Sequence, residues 1–162
     1  GWVYSTRWSG GTHPKYSPVY RYAQYIIDGT NHWLTGYCDW NIVLDSIGGP
    51  NHVNNFAGAQ VMIDYANDII YYTPYYYVLK QFSRSMRPGD VALQVNYPTT
   101  LKTGVDCETQ DIFLCAVDKG NGSYAINILN MGPDTTIPVQ LGSYYAMVHL
   151  PTASIQTIIV TL

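Results

Sequence analysis

The spacing of apolar residues changes at Asp90, and that change constrains the fold more than any other feature. Beyond it, six short runs (VALQVNY, IFLCAVD, YAINILN, TIPVQL, YYAMVHL and IQTIIVTL) are separated by Gly, Pro, Asn and Asp. Short β-branched and aromatic runs with turn formers between them predict an antiparallel sheet or sandwich. Before Asp90 the spacing is mostly helical. Ser17-Pro18 sets a hydroxyl cap beside a proline at the first helical position. Val19, Ala23, Ile26 and Ile27 follow on one face, with Tyr20, Tyr22 and Tyr25 widening the stripe. Asp28-Gly29 could end or kink this helix, or the pattern could run on to Trp33. Thr73-Pro74 repeats the cap device and opens a second helix, YYYVLKQFSRSM, which Arg87-Pro88-Gly89 stops.

Between the helices, LTGYCDWNIVLD at 34–45 predicts a strand buried on both faces, as in a parallel sheet. A polar loop follows over 45–57, then a short strand in QVMIDY. Asp45 reads as a turn former, and Asp64 and Asp68 read as capping residues near a helix start. The chain therefore reads as α/β plus β, with an α/β piece over 1–89 and a β module over 90–162. A (β/α)8 barrel takes about 250 residues, so the α/β piece cannot close one alone. A partner chain or further sequence is expected to supply the rest. An isolated piece would expose a helix face and strand edges, so contacts with other chains, self-assembly included, are expected.

Charged residues are only 12% and the net charge is −3, which argues against nucleic acid as a partner. No apolar stretch is long enough to span a bilayer. There is no signal peptide and no initiator methionine at Gly1, as expected of a mature secreted chain or of a fragment. Cys107 and Cys115 are close enough in sequence to bridge a local loop, while Cys38, inside the apolar run, reads as a buried thiol. Without CxxC or clustered His, neither a metal nor a cofactor is expected. His52 reads as a surface loop residue. Asn121-Gly122-Ser123 is a glycosylation sequon in a Gly-rich turn.

The polar residues inside the apolar run raise the functional question. Asp39, Trp40 and Asn41 stand side by side in a segment that reads as strand. At the end of a barrel strand, an indole face suits the C–H face of a sugar, while a carboxylate and amides bond its hydroxyls. The loop carrying Gly48-Gly49-Pro50-Asn51 and Asn54-Asn55 would add amides at the same end. Alternatively, Asp39 and Asn41 satisfy loop backbone groups and Trp40 fills core.

TGYCDWNIVLDSIGGPNHVNNF followed by YYTPYYYVLKQFSRSMRPG resembles the glucosylceramidase group of family 30 glycoside hydrolases. The matching residues are Asp39-Trp40-Asn41, Gly48 to Asn51, Asn55-Phe56, Pro74, Tyr77 and Phe82-Ser83-Arg84. The chain departs from the pattern at Tyr37-Cys38, where the family often has another tryptophan. The resemblance implies the last strand and helix units of a (β/α)8 TIM barrel followed by a β-sandwich. It implies a retaining β-glycosidase acting on a glucosyl lipid or other β-glucoside in the secretory pathway, lysosomal or extracellular. It further implies that Trp40 lines the glucose subsite, Asn55 shapes it, Asp39 bonds sugar hydroxyls and Asn41 supports the strand end. The aromatic N-terminal loop with Trp2, Arg7 and Trp8 would follow the nucleophile-bearing strand of full-length members. Such a mechanism needs two carboxyls about 5–5.5 Å apart. The only glutamate is Glu108, beyond the α/β half, so neither catalytic glutamate is expected in this chain. The rival expectation is a non-catalytic carbohydrate-binding or structural subunit of an extracellular assembly.

Overall fold

A computed structural model describes residues 18–53, 56–96 and 111–162. Helix α1 (Pro18–Asn31) turns Tyr22, Ala23, Ile26 and Ile27 inward. It runs through Gly29 and closes with Trp33 at φ 71° and a bond from Leu34 N to Gly29 O at 2.8 Å. This is a Schellman-type end, with a tryptophan where glycine is usual. Helix α2 (Pro74–Ser85) buries Val78, Phe82 and Ser85. Thr73 sits at its cap position but makes no side-chain bond to the helix. Its hydroxyl donates instead to Ala59 O at 2.7 Å, tying the helix start to the segment before it.

Three short strands form one small sheet. β1 (Val43–Asp45) pairs in parallel with β2 (Val61–Asp64), which pairs antiparallel with β3 (Ile69–Tyr72). The strand expected over 34–45 is a strand only at its last three residues, and residues 32–40 are exposed. Asn41 at φ 61° breaks the extended run, and among the described residues β1 has a partner on one side only. Cys38 is accordingly an exposed thiol, not a buried one. The segment after QVMIDY is a hairpin, not a helix start. Asp64 Oδ1 accepts from Ala66 N at 3.1 Å and Asn67 N at 3.2 Å, and Asp68 takes φ 54° in the turn.

All six runs after Asp90 form strands: β4 (Val91–Leu93), β5 (Ile112–Asp118), β6 (Ser123–Asn130), β7 (Thr135–Leu141), β8 (Tyr144–Leu150) and β9 (Ser154–Thr161). An antiparallel sheet runs β4-β5-β6-β9, and β7-β8 form a separate hairpin sheet. Side chains alternate across the larger sheet, as strand geometry requires. Phe113, Cys115, Leu129 and Met131 join Tyr22, Ile26, Ile27, Val78 and Phe82 of the helices. Ile112, Ala116, Ile126 and Ile128 join Ile137 and Leu150 of the hairpin sheet. The larger sheet is thus covered on both faces in a sandwich-like arrangement, which explains why β5 and β6 read as nearly continuous apolar runs. The helices before Asp90 and the strands after it share one core.

Polar groups stitch the layers together. Asn127, fully buried in β6, accepts from Ser85 Oγ of α2 at 3.0 Å and from Thr157 Oγ1 of β9 at 2.7 Å. Lys119 donates to Ser85 O at 2.9 Å and to Asp90 Oδ2 at 2.7 Å, placing a cation at the carbonyl end of α2. Cys115 is a buried free thiol among the described residues; Cys107, with which it could bridge, and Glu108 lie outside them. Asn121 lies in the exposed β5–β6 turn, its Oδ1 accepting from Ser123 N at 3.1 Å.

Candidate functional site

Asp39, Trp40 and Asn41 form a bend immediately before β1, so they precede that strand and do not close its carboxyl end. The Trp40 indole is 75% exposed, and therefore is not core filling. Beside it Asp39 is anchored from within. Its Oδ2 accepts a short hydrogen bond from Gln60 Nε2, and the same nitrogen lies 3.3 Å from the Tyr22 hydroxyl. Gln60 is only 3% exposed and directly precedes β2. Its carbonyl accepts from Thr73 N at 3.0 Å, which ties its backbone to the start of α2. Tyr22 comes from α1 and stacks edge to face with Tyr37 at 5.6 Å and Tyr75 at 5.5 Å.

The electrostatics follow this arrangement. Burial is the main force lifting the Tyr22 phenol above its ordinary value. A hydrogen bond from Gln60 opposes the rise, while the charge of Asp39 and a hydrogen bond to it add to it. Tyr37 is also raised, by burial first and then by Asp39. Both phenols therefore stay protonated, with O–H groups to donate beside a carboxylate.

The following loop is built around Asp45. Its Oδ1 accepts from Gly49 N at 2.7 Å and Ile47 N at 3.0 Å, and its backbone N donates to Gly49 O at 2.7 Å. The Gly49-Pro50 peptide is cis. Gly48 has φ +91°, and a Cβ there would lie 2.5 Å from Ala57 O. Glycine is required on both counts. Asn51 and His52 are exposed on this loop, and Asn55 lies outside the described residues. Trp33, Leu34, Tyr37, Ile42, Val43, Ile47, Val53 and Phe56 are also exposed around this end of the sequence.

A groove of about 450 Å³ between α2 and β9 is lined by Tyr77, Lys80, Gln81, Arg84, Ser85, Thr157 and Ile159. It includes none of the residues expected to bind sugar, although Tyr77 and Arg84 belong to the helix motif that carries the resemblance. Among the described residues no His, Cys, Asp and Glu group is arranged to hold a metal ion. No described helix is long and apolar enough to cross a membrane.

Residues 10–86 match the glycosyl hydrolase family 30 TIM-barrel domain, a span that includes Asp39, Trp40 and Gln60. The chain is a glucosylceramidase-like member of glycoside hydrolase family 30. Among similar proteins, the lysosomal acid glucosylceramidase of Mus musculus is 30% identical over 110 residues, covering 68% of this chain and 20% of that protein. Two solved structures share the fold. SrfJ from Salmonella typhimurium superposes with a TM-score of 0.78 at 22% identity, covering 94% of this chain and 32% of that one. The endo-β1,6-glucanase BT3312 gives 0.72 at 22%, covering 93% and 32%. The family 30 chain thus spans about a third or less of the relatives it matches.

Gln60 and Tyr22 were not singled out in the sequence. Tyr22 reads there as one of several helix-stripe aromatics, and Gln60 as the polar start of a strand. Only the fold brings them to Asp39.

Proposed function

We propose that this chain forms the sugar-holding end of a retaining β-glycosidase that cleaves a β-glucosyl bond, with a glycolipid as substrate. The observation that carries this reading is an open indole beside a carboxylate held from behind, Trp40 next to Asp39. The indole offers a flat apolar face to the sugar ring, and Asp39 accepts bonds from its hydroxyls. Asn55 shapes the same subsite, and Asn41 supports the bend. Residues 1–89 correspond to the last strand and helix units of the (β/α)8 barrel, and 90–162 to the attached β-sandwich. The two glutamates that act as acid/base and nucleophile come from polypeptide outside this chain, because Glu108 stands alone. The reading places the protein in the secretory pathway, lysosomal or extracellular, with Asn121 open to glycosylation in its exposed turn.

The test is Trp40→Ala in the full-length parent enzyme. Losing a stacked sugar contact should lower kcat/KM on a β-glucoside by roughly 10²-fold or more, with the fold intact. Unchanged kinetics would remove Trp40 from the site. The isolated chain should show no glucosidase turnover. A second reading, a non-catalytic carbohydrate-binding module, is favoured by the lone glutamate. Sugar binding by a native protein of only 18.2 kDa, without turnover, would support it.

A further inference from the structure

We infer that Gln60 and Tyr22 are positioning residues that fix the Asp39 carboxylate for sugar binding. The inference rests on the reading of Asp39 as a sugar ligand and goes beyond it. Nothing about strand β2 requires a buried amide at its entrance, yet Gln60 is buried and its side chain points to a carboxylate and a phenol. A carboxylate only accepts, so the Gln60 atom facing it must be the NH₂ group. One amide proton then serves Asp39 Oδ2 and the other the Tyr22 oxygen. By accepting from the same amide at 3.3 Å, the buried Tyr22 hydroxyl fixes the orientation in which Gln60 meets Asp39. Asp39 is thus held by Gln60, whose amide is oriented by Tyr22 of α1 and whose backbone is pinned to the start of α2. Among the described residues only Oδ2 is engaged, so Oδ1 is the oxygen offered to a hydroxyl of the glycoside. Without this grip, Asp39 sits in an exposed bend with free rotamers, and ordering it on binding costs affinity.

The test uses the full-length parent enzyme with a soluble β-glucoside, comparing Gln60→Leu, Tyr22→Phe, Asp39→Asn and the Gln60→Leu/Asp39→Asn double variant. Gln60→Leu should raise KM about tenfold with kcat within about twofold, and Tyr22→Phe should act the same way more weakly. In the Asp39→Asn background, Gln60→Leu should add little, because its effect runs through Asp39. If Gln60→Leu costs as much in that background as alone, Gln60 is a structural residue and the inference is wrong. If Asp39→Asn raises KM while neither Gln60→Leu nor Tyr22→Phe does, the positioning role fails and the sugar-binding reading survives. If Asp39→Asn itself leaves KM unchanged, both fail.

Discussion

Replacing Phe82 with alanine tests whether the helices and the β module are one folding unit. Phe82 is 2% exposed and belongs to the cluster that joins Ile27 of α1 and Val78 of α2 to Phe113 and Leu129 of the sheet. Removing the ring forfeits its transfer free energy, about 1.5–3 kcal/mol. The cavity adds to this because helix and sheet backbones cannot both collapse inward, so the total is about 3–5 kcal/mol. Against a stability of about 5–15 kcal/mol, that is a large fraction. With a urea slope of about 1–3 kcal/mol/M, the midpoint should fall by roughly 2 M. The decisive assay is hydrogen exchange of the β5 and β6 backbone amides in the chain. Their opening free energy should drop by the same amount as the global value. Protection of those amides unchanged by the loss of Phe82 would show that the strands fold without the helices, and the shared core would be wrong.

Acidification should expose the role of Asp90. Desolvation raises its carboxyl, but the bonds from Lys119 and Arg87 N–H and their charges outweigh that and hold it below its ordinary value. Its contribution is therefore present above the ordinary carboxylate range and lost as pH falls through the depressed value; Asp90→Asn should cost about 1–3 kcal/mol at neutral pH and flatten the acid limb of the stability profile. Burial foremost, with Asp28 adding and bonds from Thr30 and Asn127 opposing, pushes the Cys115 thiol up to about 12. At pH 8 a maleimide, mapped by peptide, should therefore label exposed Cys38 rapidly and Cys115 only on unfolding. Gly48→Ala should destabilise the loop by about 1–3 kcal/mol or more, from its left-handed φ and the clash with Ala57 O; a thermal midpoint equal to the parent's would refute the geometry.

What was legible in the sequence was local. The six strands after Asp90 follow from short β-prone runs between turn formers, and each forms a strand. The two helices announce themselves through Ser17-Pro18 and Thr73-Pro74, although Thr73 spends its hydroxyl on Ala59 O. The failures are non-local. The composition of 34–45 is strand-like, but a strand exists only where a neighbour pairs with it, and β2 reaches just Val43–Asp45. Cys38 was assigned burial with that run and lost it with the run. The β2–β3 hairpin was missed because Asp64 and Asp68 read as caps near a helix start, whereas Asp64 accepts from Ala66 and Asn67 in a strand-to-strand turn. Asp39 and Trp40 stood out by residue type alone. That Asp39 is held by Gln60, 21 residues away, depends on α1 packing against α2 and bringing Tyr22 to Gln60, and leaves no periodic trace.

The proposed sugar contact is that of the Trp40 indole with a glucose unit beside Asp39. The most direct measurement is an indole ¹⁵N–¹H NMR titration of the full-length enzyme with a non-hydrolysable β-glucoside, with the Trp40 resonance assigned by substitution. A saturable shift of that resonance, weakened by Asp39→Asn, is expected. A Trp40 signal that stays in place while the glucoside occupies the enzyme would contradict it.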